Sequence, residues 1–102
     1  MGREYDKSNI SAGQEFLTRY LEKLGLIVES EAKIGPYRVD IYLPELKTVV
    51  EYDGPFMHHS VLQNSRRDES LKALGVKSVV HVKGTSKNEL EELTRGLGYE
   101  GS

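Results

Sequence analysis

Between residues 26 and 53 the chain has room only for three short strands and the turns that join them. Gly35-Pro36 and Pro44-Glu45-Leu46-Lys47 are the turns, because glycine admits positive φ while proline fixes φ and withholds an N–H from any ladder. They separate a first, bent strand (26–28 continuing at 32–34) from strands at 37–43 and 48–53. Connections this short force antiparallel pairing.

Helical patterns lie on both sides. Ser11-Ala12-Gly13-Gln14 is a capping-box start, followed by Phe16, Leu17, Tyr20, Leu21 and Leu24 as one apolar stripe that ends at Gly25. A second helix is expected over 61–74 and is closed by Gly75. A buried, valine-rich fourth strand follows over 76–82, then a capping box at Ser86 and Glu89 with Leu90, Leu93 and Leu97 in a short last helix. The order is αβββαβα. A helical connection between the third and fourth strands permits parallel pairing, so the expected fold is α/β, a mixed four-stranded sheet flanked by helices.

With 102 residues and 37% hydrophobic content, the chain supports one domain and one core. The absence of cysteine excludes disulfides and thiolate metal sites and leaves carboxylate and imidazole as ligands. No apolar run approaches the roughly 20 residues of a membrane span, and residues 1–7 lack a signal-peptide core, so a cytoplasmic protein is expected. Fourteen basic against sixteen acidic residues give a net charge of −2, which is poor for a free-standing DNA binder. A catalytic fragment whose DNA-binding domain lies elsewhere fits that charge.

The chemistry concentrates in Glu51-Tyr52-Asp53-Gly54-Pro55-Phe56-Met57-His58-His59, which follows Asp40 in the second strand. Carboxylates on adjacent strands with histidines on the next turn suit a Mg²⁺-dependent phosphodiesterase. The cation neutralises phosphate charge, and a group titrating near neutrality moves the proton. Alternation puts Val39, Ile41 and Leu43 on one face and Asp40 on the other, where a plain solvated carboxylate is equally compatible. Glu51 and Asp53 share a face of the third strand. His58 and His59 are proton carriers by ordinary pKa, or simply exposed. Asp68 and Asn64 fall on the Leu71 side of the second helix, where Asp68 either orients a histidine or pairs with Arg66 or Arg67. On the first helix Gln14 borders the apolar stripe, whereas Glu15 points away. Phe56 and Met57 are apolar residues in a polar loop.

Val39-Asp40, the run from Glu51 to His59, and Arg67-Asp68 leading to Leu71, Leu74 and Gly75 together resemble the PD-(D/E)XK nuclease superfamily. Within it, the likeness is to the very-short-patch-repair endonuclease group and phage homing endonucleases of the EDxHD class, over about residues 11–83. The resemblance implies a restriction-endonuclease-like core and a Mg²⁺-dependent cut in double-stranded DNA, with Mn²⁺ able to substitute. It implies Asp40 and the Tyr52 carbonyl as cation ligands, Glu51 and Asp53 as auxiliary ligands, His58 as general base with His59 as its substitute, and Asp68 as the group orienting it. Phe56 and Met57 would wedge into the base stack, and Arg66 and Arg67 would contact DNA. Asp53 stands where the superfamily normally has a lysine, which moves proton transfer to histidine. Gln14 stands where a glutamate is usual, with Glu15 beside it, so the chain is expected to be impaired at Gln14. Cutting two strands with one small site would require a homodimer or sequential nicking. Residues 49–55 and the following histidine also resemble the RAP domain of organellar RNA-processing proteins, which makes a non-catalytic RNA-binding module the competing expectation. A structural partner domain in a larger complex is the third.

Overall fold

The structure is a computed structural model and describes residues 11–53 and 61–98, with side chains in the second helix described from Ser65 onward. Its elements are α1 (Ala12–Lys23), β1 (Glu29–Ile34), β2 (Tyr37–Leu43), β3 (Thr48–Tyr52), α2 (Val61–Ala73), β4 (Ser78–Val82) and α3 (Lys87–Gly96). The sheet order is β1-β2-β3-β4, with the first two pairings antiparallel and β3–β4 parallel. This is the expected mixed four-stranded α/β sheet flanked by helices. No described helix is long and apolar enough to cross a membrane.

The helix ends follow local chemistry. The Ser11 hydroxyl accepts the Gln14 N–H at 3.1 Å to start α1, and a complete capping box between Ser86 and Glu89 starts α3. Gly25 and Gly75 follow α1 and α2 with φ of 94° and 110°, the left-handed conformation that glycine adopts without a Cβ penalty.

Burial splits the interior into two layers. Leu17 and Leu21 of α1, with Leu93 and Leu97 from the C-terminal end, pack on Ile41, Leu43, Val50 and Val82. Leu71 of α2 packs with Val39, Val49 and Val76 on the other side. Val49 and Val50 therefore serve opposite layers, and β3 is buried from Thr48 through Glu51. That is why it reads as a nearly continuous apolar run rather than an alternation.

Several expectations change. Phe16 is 49% exposed, because the buried stripe of α1 runs through Gln14, Leu17 and Leu21. β1 begins at Glu29, later than expected, since Leu26 and Val28 join the α1 layer before the strand starts. Its polar sequence suits an edge strand, one side of which faces solvent. β4 is half-buried, its outer edge being the other end of the sheet. In β2 the predicted alternation fails at Asp40: Val39 joins the α2 layer, whereas Ile41 and Leu43 join the α1 layer.

α1 meets the end of β3 closely. A Cβ built on Gly13 would collide with the Tyr52 ring. Glycine to alanine inside a helix ordinarily stabilises by about 1 kcal/mol. Here the expected result of Gly13→Ala is the reverse, a loss of about 1–3 kcal/mol from overpacking, seen as a lower thermal midpoint and relieved when Tyr52→Ala is added.

Candidate functional site

One row of ionisable residues crosses the whole sheet. The register places Glu31 on β1 beside Asp40 on β2, Asp40 beside Glu51 on β3, and Glu51 opposite His81 on β4. Around Asp40 the ordinary ladder gives way. β2 and β3 pair from Leu43↔Thr48 to Ile41↔Val50, and beyond that point side chains replace backbone partners. The Tyr52 N–H donates to Asp40 Oδ2 at 2.8 Å, and the Asp40 N–H donates to Glu51 Oε2 at 3.3 Å. On the β1 side Glu31 has φ of 53°, an uncommon conformation for a residue other than glycine.

Gln14 closes this arrangement from α1. It is 5% exposed, and its Nε2 donates to Glu31 Oε2 at 2.7 Å and to the Asp40 carbonyl at 3.4 Å. A side chain acting only as the capping-box partner would turn back to Ser11. That of Gln14 crosses to the sheet instead. Glu15 is exposed and pairs with Arg19 on the helix surface, away from the row.

On the α2 side, Arg67 Nη1 lies 3.4 Å from Glu51 Oε2, and its Nη2 donates to the Arg38 carbonyl at 2.7 Å. Asp68 is bonded to neither arginine. Its Oδ2 lies 2.9 Å from His81 Nε2, and His81 Nδ1 lies 3.2 Å from Asp53 Oδ2. Asp53 is thus engaged by a histidine, and its charge also acts on Asp40. Arg66 is exposed. Phe56, Met57, His58 and His59, and the side chain of Asn64, lie outside the described residues.

The electrostatics single out two carboxyls. Burial raises the Asp40 pKa, the Tyr52 N–H lowers it, and the neighbouring Glu31 raises it again, for a net increase. Glu51 is pushed up to about 7, first by burial and then by Asp40, with Arg67 offsetting only part. His81 moves upward as well: burial disfavours its charged form, but the bond with Asp68 and the charge of Asp53 outweigh that.

Among the described residues no three His, Cys, Asp or Glu side chains converge as a set that could hold a metal ion. Two carboxyls, Asp40 and Glu51, are nevertheless neighbours there. They offer oxygen donors of the kind a hard divalent cation takes, and Arg67 offsets only part of the burial and repulsion at Glu51.

His81 and Glu31 were missed in the sequence. His81 carries a signal, a lone polar residue among Val79, Val80 and Val82. Glu31 carries none, because its place depends on a backbone conformation that glutamate rarely adopts. Comparison with family models, curated proteins and solved structures finds no match for this chain.

A carboxyl whose folded pKa is raised holds its proton more tightly folded than unfolded, so stability falls as pH rises between the two values. For Glu51 that window runs from 4.5 to about 7. In EDTA the thermal midpoint is expected to fall from about pH 5 to about pH 8. Glu51→Gln should flatten this decline and raise the midpoint at pH 8 by several degrees, on a scale of about 4–8 °C per kcal/mol. Melting curves of both proteins across that range check it.

Proposed function

We propose that this chain is a metal-dependent endonuclease domain that hydrolyses phosphodiester bonds in double-stranded DNA, as the catalytic part of a phage-type homing endonuclease. The observation that carries the proposal is the exchange at the β2–β3 junction, where the Asp40 carboxylate receives the Tyr52 N–H. In an extended strand the N–H and C=O of one residue point to the same edge. The Tyr52 carbonyl is therefore directed to the side where Asp40 sits, and these two oxygens are the ones expected to hold the cation.

When bound, Mg²⁺ would neutralise phosphate charge and lower the pKa of a water molecule. The chain's own residues do the remaining work. Glu51 fixes the Asp40 backbone and adds negative charge to the cation side of the site. Arg67 ties Glu51 to the β2 backbone, which keeps α2 in place beside it. His58 is the residue proposed to take the proton of the attacking water. Gln14 supplies an amide where a carboxylate would bring further charge, which supports its replacing a functional glutamate. A glutamate there would stand against Glu31 and the Asp40 carbonyl, an arrangement that favours a cation.

Nicking of supercoiled plasmid at low salt tests the proposal. The expected result is cutting that needs Mg²⁺ or Mn²⁺, stops with EDTA and falls to background in Asp40→Ala, with a higher rate in Gln14→Glu. A chain that binds nucleic acid but cuts in none of these forms, with or without metal, would instead be a binding module.

A further inference from the structure

His81 has no part in the cation site or the proton transfer proposed above, yet it joins three elements of the fold. From β4, its Nδ1 reaches Asp53 just beyond the end of β3, and its Nε2 reaches Asp68 on α2. Each ring nitrogen faces a carboxyl oxygen, and the ring cannot turn without losing both contacts. Asp68 is left asymmetric by this contact. Oδ2 is engaged by His81, whereas Oδ1 is buried without a hydrogen-bond partner among the described residues. A buried acceptor without a donor is costly, and it calls for a partner, whether a water, an ion or a group brought in by a working state.

We infer that His81 is a positioning residue of this site: by bridging Asp53 to Asp68 it fixes α2 against the sheet and presents Asp68 Oδ1 to a donor, a role that rests on the nuclease reading for its kinetic consequence. A purely structural staple would change the melting temperature and leave the rate of the folded enzyme alone. A positioning residue changes the rate while DNA affinity stays constant, because neither His81 nor Asp68 contacts the duplex in this role.

The experiment compares His81→Gln, Asp68→Asn and the double variant in single-turnover cleavage and DNA binding, using whichever of the present chain and Gln14→Glu is the more active as parent. Each single variant should cut about tenfold more slowly, the scale seen when a group that orients a metal-site residue is removed. DNA affinity should stay within about twofold. The double variant should be no slower than the slower single one, since both break the same link. A His81→Gln enzyme that cuts within about twofold of its parent, or whose effect multiplies with that of Asp68→Asn, overturns the inference. Should His81→Gln fail to fold, nuclear magnetic resonance of the parent decides. Two slowly exchanging ring N–H protons are expected, with the Nε2 proton released in Asp68→Asn and the Nδ1 proton in Asp53→Asn. Rapid exchange of both in the parent overturns the bridge. If no form cuts DNA, the nuclease reading and the kinetic role fall together, and the ring protons still report separately on the bridge.

Discussion

The pair of bonds between Asp40, Tyr52 and Glu51 governs the rest of the molecule. Each replaces a backbone-to-backbone ladder contact with a carboxylate accepting an N–H, so β2 and β3 stay joined while their backbones part. The Tyr52 bond, at 2.8 Å, is the shorter and tighter of the two, and that to Glu51 is 3.3 Å. They also require two acidic side chains to sit side by side, partly out of water. The raised pKa of both carboxyls is the electrostatic record of that requirement.

From that junction the other contacts follow by geometry. The change of face between Val39 and Ile41 lets one strand feed two core layers, α2 receiving Val39 and α1 receiving Ile41 and Leu43. Gln14 can then reach from α1 to the Asp40 carbonyl, and Arg67 from α2 to Glu51. Val50 and Val82, each deep in the α1 layer, flank the polar positions of Glu51 and His81 and hold them in register. Destabilisation is concentrated where the chemistry is proposed, and apolar packing on both sides of the sheet offsets it.

Much of this was legible in the residues. The turns at Gly35-Pro36 and 44–47, the glycines after α1 and α2, and the capping boxes have local causes, so element order could be read directly. Glu51, Tyr52 and Gln14 were also legible as neighbours of Asp40, because adjacent strands and the border of the α1 stripe bring them to it. Three features were not. The break of alternation at Asp40 arises from partners on two other strands, which no local pattern encodes. The polar edge strand β1 has no apolar repeat to announce it. The sequence offers Asp68 a loop histidine or an adjacent arginine, and gives no sign of a contact with His81, which comes from a strand on the far side of α2 in sequence. Parallel pairing of β4 with β3 brings it there, and that contact depends on topology rather than on spacing.

Among the described residues the two layers are unequal, and the inequality falls along the site. Among the described residues, the α1 cluster has nine buried members and the α2 cluster has four. The described contacts of α2 with the sheet include Leu71 and the polar ties of Arg67 and Asp68, which water can replace more readily than it can replace buried leucine contacts. Opening of a protein proceeds first through units with the fewest apolar contacts. On the α2 side, Arg67 and Asp68 tie helix to sheet through polar bonds, whereas the α1 side rests on buried leucines.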